Sequence, residues 1–379
     1  MAGDRPAPVT SRGVRLSWSQ ALTWRMARQM LDPVGAESVD GVVRRLGAVQ
    51  AQSDPAAALS IDTRRDRSRV GDLGRALADG RIIKTFAFRG ATHYMTPEDA
   101  GIYLALRAAS RMWELPSWQT YYQLKPTDWP ALREAVRDAL ADGPLTRDEL
   151  GAAITARHRF QHLGFVFETN AKTLLKPFAW QGDMCFGPRR DGHATFQRLD
   201  HNPRWAGIPD LEDAGPRAVE AYLRTYGPAP ADNVHYWLGN GLGAGRKRIQ
   251  AWIAGFGDRL AAVDIDGESA FVMREDLQDL AETAVTDAVR LLPGHDQWLL
   301  GPSTADAHIV PPAKRALVSR GASVVIVGGV VSGTWSLAHD TVAIGWFADG
   351  QPPTKALAEE VARLATILDR PLDPSIDMA

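Results

Sequence analysis

The sequence predicts an α+β protein in which three consecutive units, each a run of helices closed by a β-hairpin, precede a β-rich C-terminal region. Three observations carry this prediction. At 379 residues the chain exceeds the size at which a single core stops growing, so several domains are expected. The order helix, helix, helix, hairpin recurs at roughly a hundred residues, which is longer than a solenoid repeat and suits tandem domains. Beyond residue 282 the helical periodicity gives way to short β-branched runs.

Residues 1–14 are polar and without periodicity, and they read as a disordered tail outside the fold. The first unit spans 15–125. Ser17 is placed to cap a helix with Gln20 as its capping-box partner, and Trp18, Leu22, Met26 and Met30 supply the apolar stripe before Pro33. Val39, Val42, Val43, Leu46 and Val49 fall at helical spacing and are expected to share one buried face of a second helix. After Pro55 come residues 56–62, the cluster Arg64, Arg65, Arg67 and Arg69, and a short helix through 73–77. Residues 82–88 read as a strand, Arg89-Gly90 as a turn and 92–95 as the return. That is the grammar of a winged helix-turn-helix.

The second unit, 126–210, repeats it. An amphipathic helix is expected over 129–140, a short threonine-capped one over 144–150, a third over 165–180, and a wing from 184–186 and 194–199. In the third unit, 211–282, a helix over 218–226 ends at Gly227-Pro228, a short one covers 231–237, and a basic one covers 245–253. A hairpin of 260–265 and 269–273 follows, around the strong turn signal Asp266-Gly267. Region 283–379 offers strands at 288–292, 324–327, 330–331 and 341–347, then a closing helix at 355–368. With no low-complexity linker, the units are expected to pack tightly.

Composition narrows the function. Hydrophobic content of 45% and charged content of 23% suit a folded soluble chain. No apolar run approaches the ~20 residues of a membrane span, and no signal-peptide core is present, so a cytoplasmic (nucleoid) location is expected. The lone Cys185 excludes an internal disulfide and a cysteine-based zinc site. His93, His295 and His308 lack metal-ligand spacing, and neither a Walker loop nor a dinucleotide fingerprint occurs, so no metal or cofactor is expected. Gly239-Asn240-Gly241-Leu242-Gly243 lacks a preceding strand and reads as a flexible turn. With a net charge of −2, any nucleic-acid contact must come from a local basic face.

Arg246, Lys247 and Arg248 open the helix where a winged unit places its recognition element, although a solvated helix start is equally open to them. Arg64 and Arg65 flank a glutamine pair in sequence and suit phosphates; a solvated loop balanced by Asp62 and Asp66 is the alternative. The pair is Gln50 and Gln52, at the end of the second helix. If the helix continued, their amides would diverge by about 200°, since each residue turns roughly 100°. If the chain extends at Gln50, they point the same way. Asp54 is a nearby carboxylate that also suits a turn before Pro55.

Several stretches carry a resemblance: Arg44-Arg45-Leu46-Gly47-Ala48-Val49 leading into Gln-x-Gln, the run from Arg89 to Met95, and Leu291-Leu292-Pro293-Gly294-His295-Asp296-Gln297-Trp298-Leu299-Leu300-Gly301. In this order they resemble the AlkZ-type bacterial DNA glycosylases over nearly the whole chain after Val14. The resemblance implies three tandem winged helix-turn-helix units in a C-shaped arrangement, with double-stranded DNA in the concave channel of a monomer. It implies hydrolytic excision of N7-alkylated guanine, including unhooking of azinomycin B type interstrand crosslinks in self-resistance or repair, with Gln50 and Gln52 as the catalytic pair. A sister branch carries Asp at the second position, so Gln52 points to the crosslink branch. The resemblance also implies a DNA-probing hairpin, placed in the C-terminal region. No lysine lies near the pair in sequence, which argues for a monofunctional glycosylase. The alternative function is a non-catalytic winged-helix transcriptional regulator.

Overall fold

The computed structural model describes residues 16–378, so the expected tail at 1–14 lies outside the described residues. Helix α1 (Trp18–Arg28) has the expected Ser17–Gln20 capping box, and α2 (Val39–Leu46) follows. Then come β1 (Val49–Gln50), α3 (Asp54–Asp62), α4 (Asp72–Ala78), β2 (Ile83–Phe86), β3 (Thr92–Met95), α5 (Pro97–Ala108) and α6 (Pro116–Tyr122). The next stretch contains α7 (Trp129–Ala139), β4 (Leu145–Thr146), α8 (Arg147–Thr155), α9 (Gly164–Thr169), α10 (Ala171–Trp180), β5 (Met184–Arg190) and β6 (His193–Arg198). The third contains α11 (Leu211–Tyr226), α12 (Ala231–Val234), α13 (Arg246–Gly255), β7 (Leu260–Ile265), β8 (Glu268–Met273) and α14 (Leu277–Glu282). The C-terminal part comprises β9 (Val289–Leu292), α15 (Gln297–Leu300), α16 (Arg315–Ser319), β10 (Ser323–Val327), β11 (Val330–Ala338), β12 (Thr341–Trp346), α17 (Thr354–Leu368) and β13 (Asp373–Met378).

The chain is α+β, but its hairpins are not independent. β2–β3 and β5–β6 join through Lys84 opposite Phe186 into one six-stranded sheet, ordered β1-β3-β2-β5-β6-β4. Phe86, Phe186 and Phe196 line up across that junction, with ring centroids 5.0 and 5.1 Å apart. Such aromatic neighbours on one sheet face stabilise pairing beyond their area burial. The first two units therefore share a sheet and most of a core, and α5 packs on α11 of the third.

Other expectations are corrected. Helix α1 does not serve the core beside α2. Trp18, Ala21 and Trp24 bury against Val263, Ile265 and Val272 of β7–β8, while Leu22 and Met26 bury against Leu292, Trp298 and Val324 of the C-terminal part. An apolar stripe specifies a face to be buried, not its partner. The single helix expected over 165–180 breaks at Asn170, whose φ of −149° and ψ of 47° leave the helical region. The glycine run 239–243 is mostly helical: His235–Asn240 form a π-turn, and only Gly243 turns away with a φ of +88°. The C-terminal sheet, ordered β13-β12-β11-β10-β9, ends in a strand absent from the sequence reading, β13, which runs parallel to β12. One face of this sheet packs α17 through Leu357, Val361 and Leu364.

Candidate active site and nucleic-acid cleft

Helix α2 stops at Gly47, whose φ of +75° belongs to the left-handed region that glycine enters at no steric cost. A Cβ there would also lie 2.5 Å from the hydroxyl of Tyr103. The chain then extends. Val49 and Gln50 pair with Tyr94 and His93 of β3, and the Ala51 N–H donates to the Thr92 carbonyl at 2.8 Å. Val49, expected on the stripe of α2, lies in β1 instead because the helix ends at Gly47, and it and Ala51 enter the core with Val43 and Leu46. In an extended segment, alternate residues share a side, so Gln50 and Gln52 emerge together on the other one.

Both glutamines line one cavity of about 180 Å³ at the start of α3, with Ser53, Ser60, Gly294 and His295. Gln50 is half-buried, and its Oε1 is buried without a hydrogen-bond partner among the described residues. Buried acceptors are normally satisfied, and this one lies where the cavity is lined by both carboxamides. Gln52 is exposed, and it also lines a larger cleft with Lys84, Arg147, Lys172, Phe186 and His193. Ser53 caps α3 by accepting from the Ala56 N–H at 3.3 Å.

The nearby titratable groups have distinct states. Burial pushes the His93 imidazole, across the sheet from Gln50, down to about 4, so it is neutral at physiological pH. Burial acts to raise the Asp54 carboxyl, but hydrogen bonds from Lys84 Nζ (2.5 Å) and the Tyr94 hydroxyl (2.7 Å) hold it below its ordinary value. Asp54 opens α3 and is committed to this bridge. On α10, burial first, then the charges of Lys172 and Arg107, lower the pKa of Lys176. Here cations crowd one another.

The arginines expected beside the glutamines do other work. Arg64 is fully buried, its guanidinium bonded to both carboxylate oxygens of Asp296 at 2.8 and 2.7 Å, with both side chains 0% exposed. Sealed from solvent, it cannot meet a phosphate. It holds α3 to the loop before α15, and Ser60 Oγ donates to the same carboxylate at 2.5 Å. Arg65 is 10% exposed and bridged to Asp62 and Asp72; it lines a separate surface cleft with Arg67, Arg69 and Arg363. Arg246, Lys247 and Arg248 are exposed at the start of α13, with Arg246 on Asp232 at 2.8 Å and Arg248 near Glu212 at 3.8 Å. None of these three lines either cavity of the glutamine pair.

The cations that do share a cleft with Gln52 were missed because they are scattered. Lys84 comes from β2, Arg147 from α8 and Lys172 from α10, and only the fusion of two hairpins into one sheet brings them together. Lys172 and Lys176, four apart on one helix, were the sole local signal. The same geometry corrects the argument from absent lysines: Lys84 and Lys172 lie far from the pair in sequence and beside it in space.

A cleft carrying Lys84, Arg147 and Lys172 with one carboxylate, Asp148, meets the carboxamide cavity at Gln52, an arrangement suited to an enzyme that works on nucleic acid. Comparison with known proteins narrows the class. The family model described as DNA glycosylase AlkZ-like matches residues 43–367, and the chain belongs to that family: it is a DNA glycosylase. It is 36% identical over 359 residues to the interstrand DNA cross-link repair glycosylase of Streptomyces sahachiroi, covering 93% of this chain and 96% of that protein. The solved structure of Streptomyces sahachiroi DNA glycosylase AlkZ matches with a TM-score of 0.91 at 35% identity, over 96% of this chain and all (100%) of that one.

Proposed function

We propose that this glycosylase hydrolyses the N-glycosidic bond of N7-alkylated guanine in duplex DNA, including the unhooking of azinomycin B type interstrand crosslinks, with Gln50 and Gln52 as its catalytic pair. The observation that carries this reading is one cavity lined by both carboxamides beside a cleft of lysines and arginine. The name of the Streptomyces sahachiroi relative, a cross-link repair glycosylase, supports the crosslink. We read the helices and hairpins as three winged units arranged in a C around the duplex. The enzyme acts as a monomer in self-resistance or repair, and the DNA-probing hairpin lies in the C-terminal sheet.

The chemistry suits neutral groups. Glycoside hydrolysis ordinarily calls on carboxylates, one as acid and one as base or nucleophile. An N7-alkylated guanine is already cationic, so N9 leaves without being protonated. What remains is to place a water and to direct dipoles at the developing sugar cation. The Oε1 of each glutamine is an acceptor that can do both. The Oε1 of Gln50, with no hydrogen-bond partner among the described residues, is open to that task. Two amides give little help to an undamaged purine, which needs an acid, and the lesion's own charge thereby confers selectivity. Asp54 holds the Lys84 Nζ at 2.5 Å, which engages the cleft lysine beside Gln52 in an ion pair, in keeping with a monofunctional enzyme.

The test uses duplexes carrying N7-methylguanine or an N7–N7 crosslink and measures alkali-labile abasic sites. Gln50→Ala and Gln52→Ala are each expected to lose about 10²–10³-fold in excision rate, the size seen when one stabilising dipole is removed, while duplex binding stays near the parent's. Variants that cut as fast as the parent would return the two amides to a structural role. A parent that binds duplex and releases no alkylated guanine would overturn the N7-alkylguanine reading.

A further inference from the structure

Hydrolysis of a cationic lesion frees a proton that the glutamine pair cannot take. The C1′–N9 bond breaks with its electrons remaining on N9, so the alkylated base leaves neutral and the sugar carries the positive charge. Water adds through oxygen to C1′, and one of its O–H protons must go to a base. A carboxamide oxygen accepts hydrogen bonds but is no base at neutral pH.

The cavity has one side chain able to fill this role. Of its lining, Val49, Ala56, Ala57 and Gly294 are inert. Ser53 Oγ is occupied by the Ala56 N–H, and Ser60 Oγ by Asp296. Asp54 lies outside this lining and is held by Lys84 and Tyr94. Neutral His93 is buried, with Nδ1 on the Ala91 carbonyl at 3.1 Å. His295 is the only titratable residue among those lining the cavity, and it is half-buried.

Its backbone and surroundings look built to present it. His295 adopts a φ of +62°, which costs a residue with a Cβ and clusters at functional sites. The neighbouring residue, Asp296, is gripped by Ser60 of α3 and by Arg64 just past its end, so the histidine is tied to the helix that begins beside Gln52. The ring packs against Gly321, where a Cβ would meet His295 Nε2 at 2.4 Å, and Gly294 lets the Gly321 carbonyl approach, where its own Cβ would meet that oxygen at 2.1 Å.

Resting on the excision reading above, we infer that His295 is a third catalytic residue, the base that receives the proton of the hydrolytic water while Gln50 and Gln52 orient it. The imidazole then passes the proton to solvent, and no co-reactant is needed.

The test compares parent, His295→Asn and His295→Ala in single-turnover excision of N7-methylguanine from duplex DNA, with and without added imidazole. Asparagine tolerates the positive φ, so His295→Asn separates loss of the base from loss of the loop. Both variants are expected to bind the duplex like the parent and to excise about 10²-fold more slowly, the low end for general-base catalysis. Imidazole should restore a large part of the rate to His295→Ala and leave Gln50→Ala unchanged. A His295→Asn variant working at the parent's rate overturns the inference, as does a slowed His295→Ala that imidazole leaves slow. A parent that releases no N7-methylguanine sinks the excision reading itself, which is a separable result.

Discussion

Replacing Asp296 by Ala removes half of a fully buried ion pair and is expected to unlock the site from behind. Arg64 and Asp296 bond in a bidentate fork at 2.8 and 2.7 Å with no exposed side-chain surface. Without the carboxylate, the guanidinium is left charged and desolvated, a cost of about 3–5 kcal/mol. Asp296 also caps α15 by accepting from the Trp298 N–H at 2.8 Å, and loss of a cap adds about 1 kcal/mol. With roughly 2.1 cal/mol/K of unfolding entropy per residue, 4–6 kcal/mol corresponds to a Tm fall of about 5–8 °C for a chain of this size. Thermal unfolding followed by circular dichroism measures it. The double variant Arg64→Met with Asp296→Leu removes both charges and should recover most of the loss, because apolar residues of similar volume replace buried pairs at little or no cost. A single variant that melts with the parent, or a double variant worse than either single, would refute the claim that the pair is a desolvated lock between α3 and the loop before α15.

Two further outcomes follow from the same geometry. Because burial holds the folded His93 near pH 4 while an unfolded histidine titrates near 6.5, protonation favours unfolding. Its contribution is absent above about pH 6.5, grows as pH falls, and reaches about 3 kcal/mol below pH 4; denaturant titrations at pH 7 and 5 should show about 2 kcal/mol of it, missing in His93→Gln. If the duplex lies in the cleft of Lys84, Arg147 and Lys172, Lys172→Ala should weaken binding to all sequences alike. It should also lower the slope of log K against log salt by about 1, and an unchanged slope would move the duplex elsewhere.

Much of this was legible in the sequence because it is local. The Ser17–Gln20 capping box, the helical spacing of Val39, Val42, Val43 and Leu46, and the Asp266-Gly267 turn each depend on residues a few positions apart. The glutamine pair was legible as well. Gly47 stops the helix, and alternation then turns Gln50 and Gln52 to one side. Partnership across the chain was not legible. Arg64 and Arg65 looked like phosphate ligands, yet whether an arginine faces DNA or a carboxylate depends on Asp296, 232 positions away, and on Asp62 and Asp72. His295 lies about 240 positions from the glutamine pair, and only the fold sets it in one cavity with residues 50 and 52. Lys84, Arg147 and Lys172 were unremarkable until two hairpins merged into one sheet. Short-range torsional and hydrophobic preferences write the elements and their faces into the sequence. Desolvation and charge pairing are settled only when distant segments meet, and those decided which side chains became lock, cleft and site.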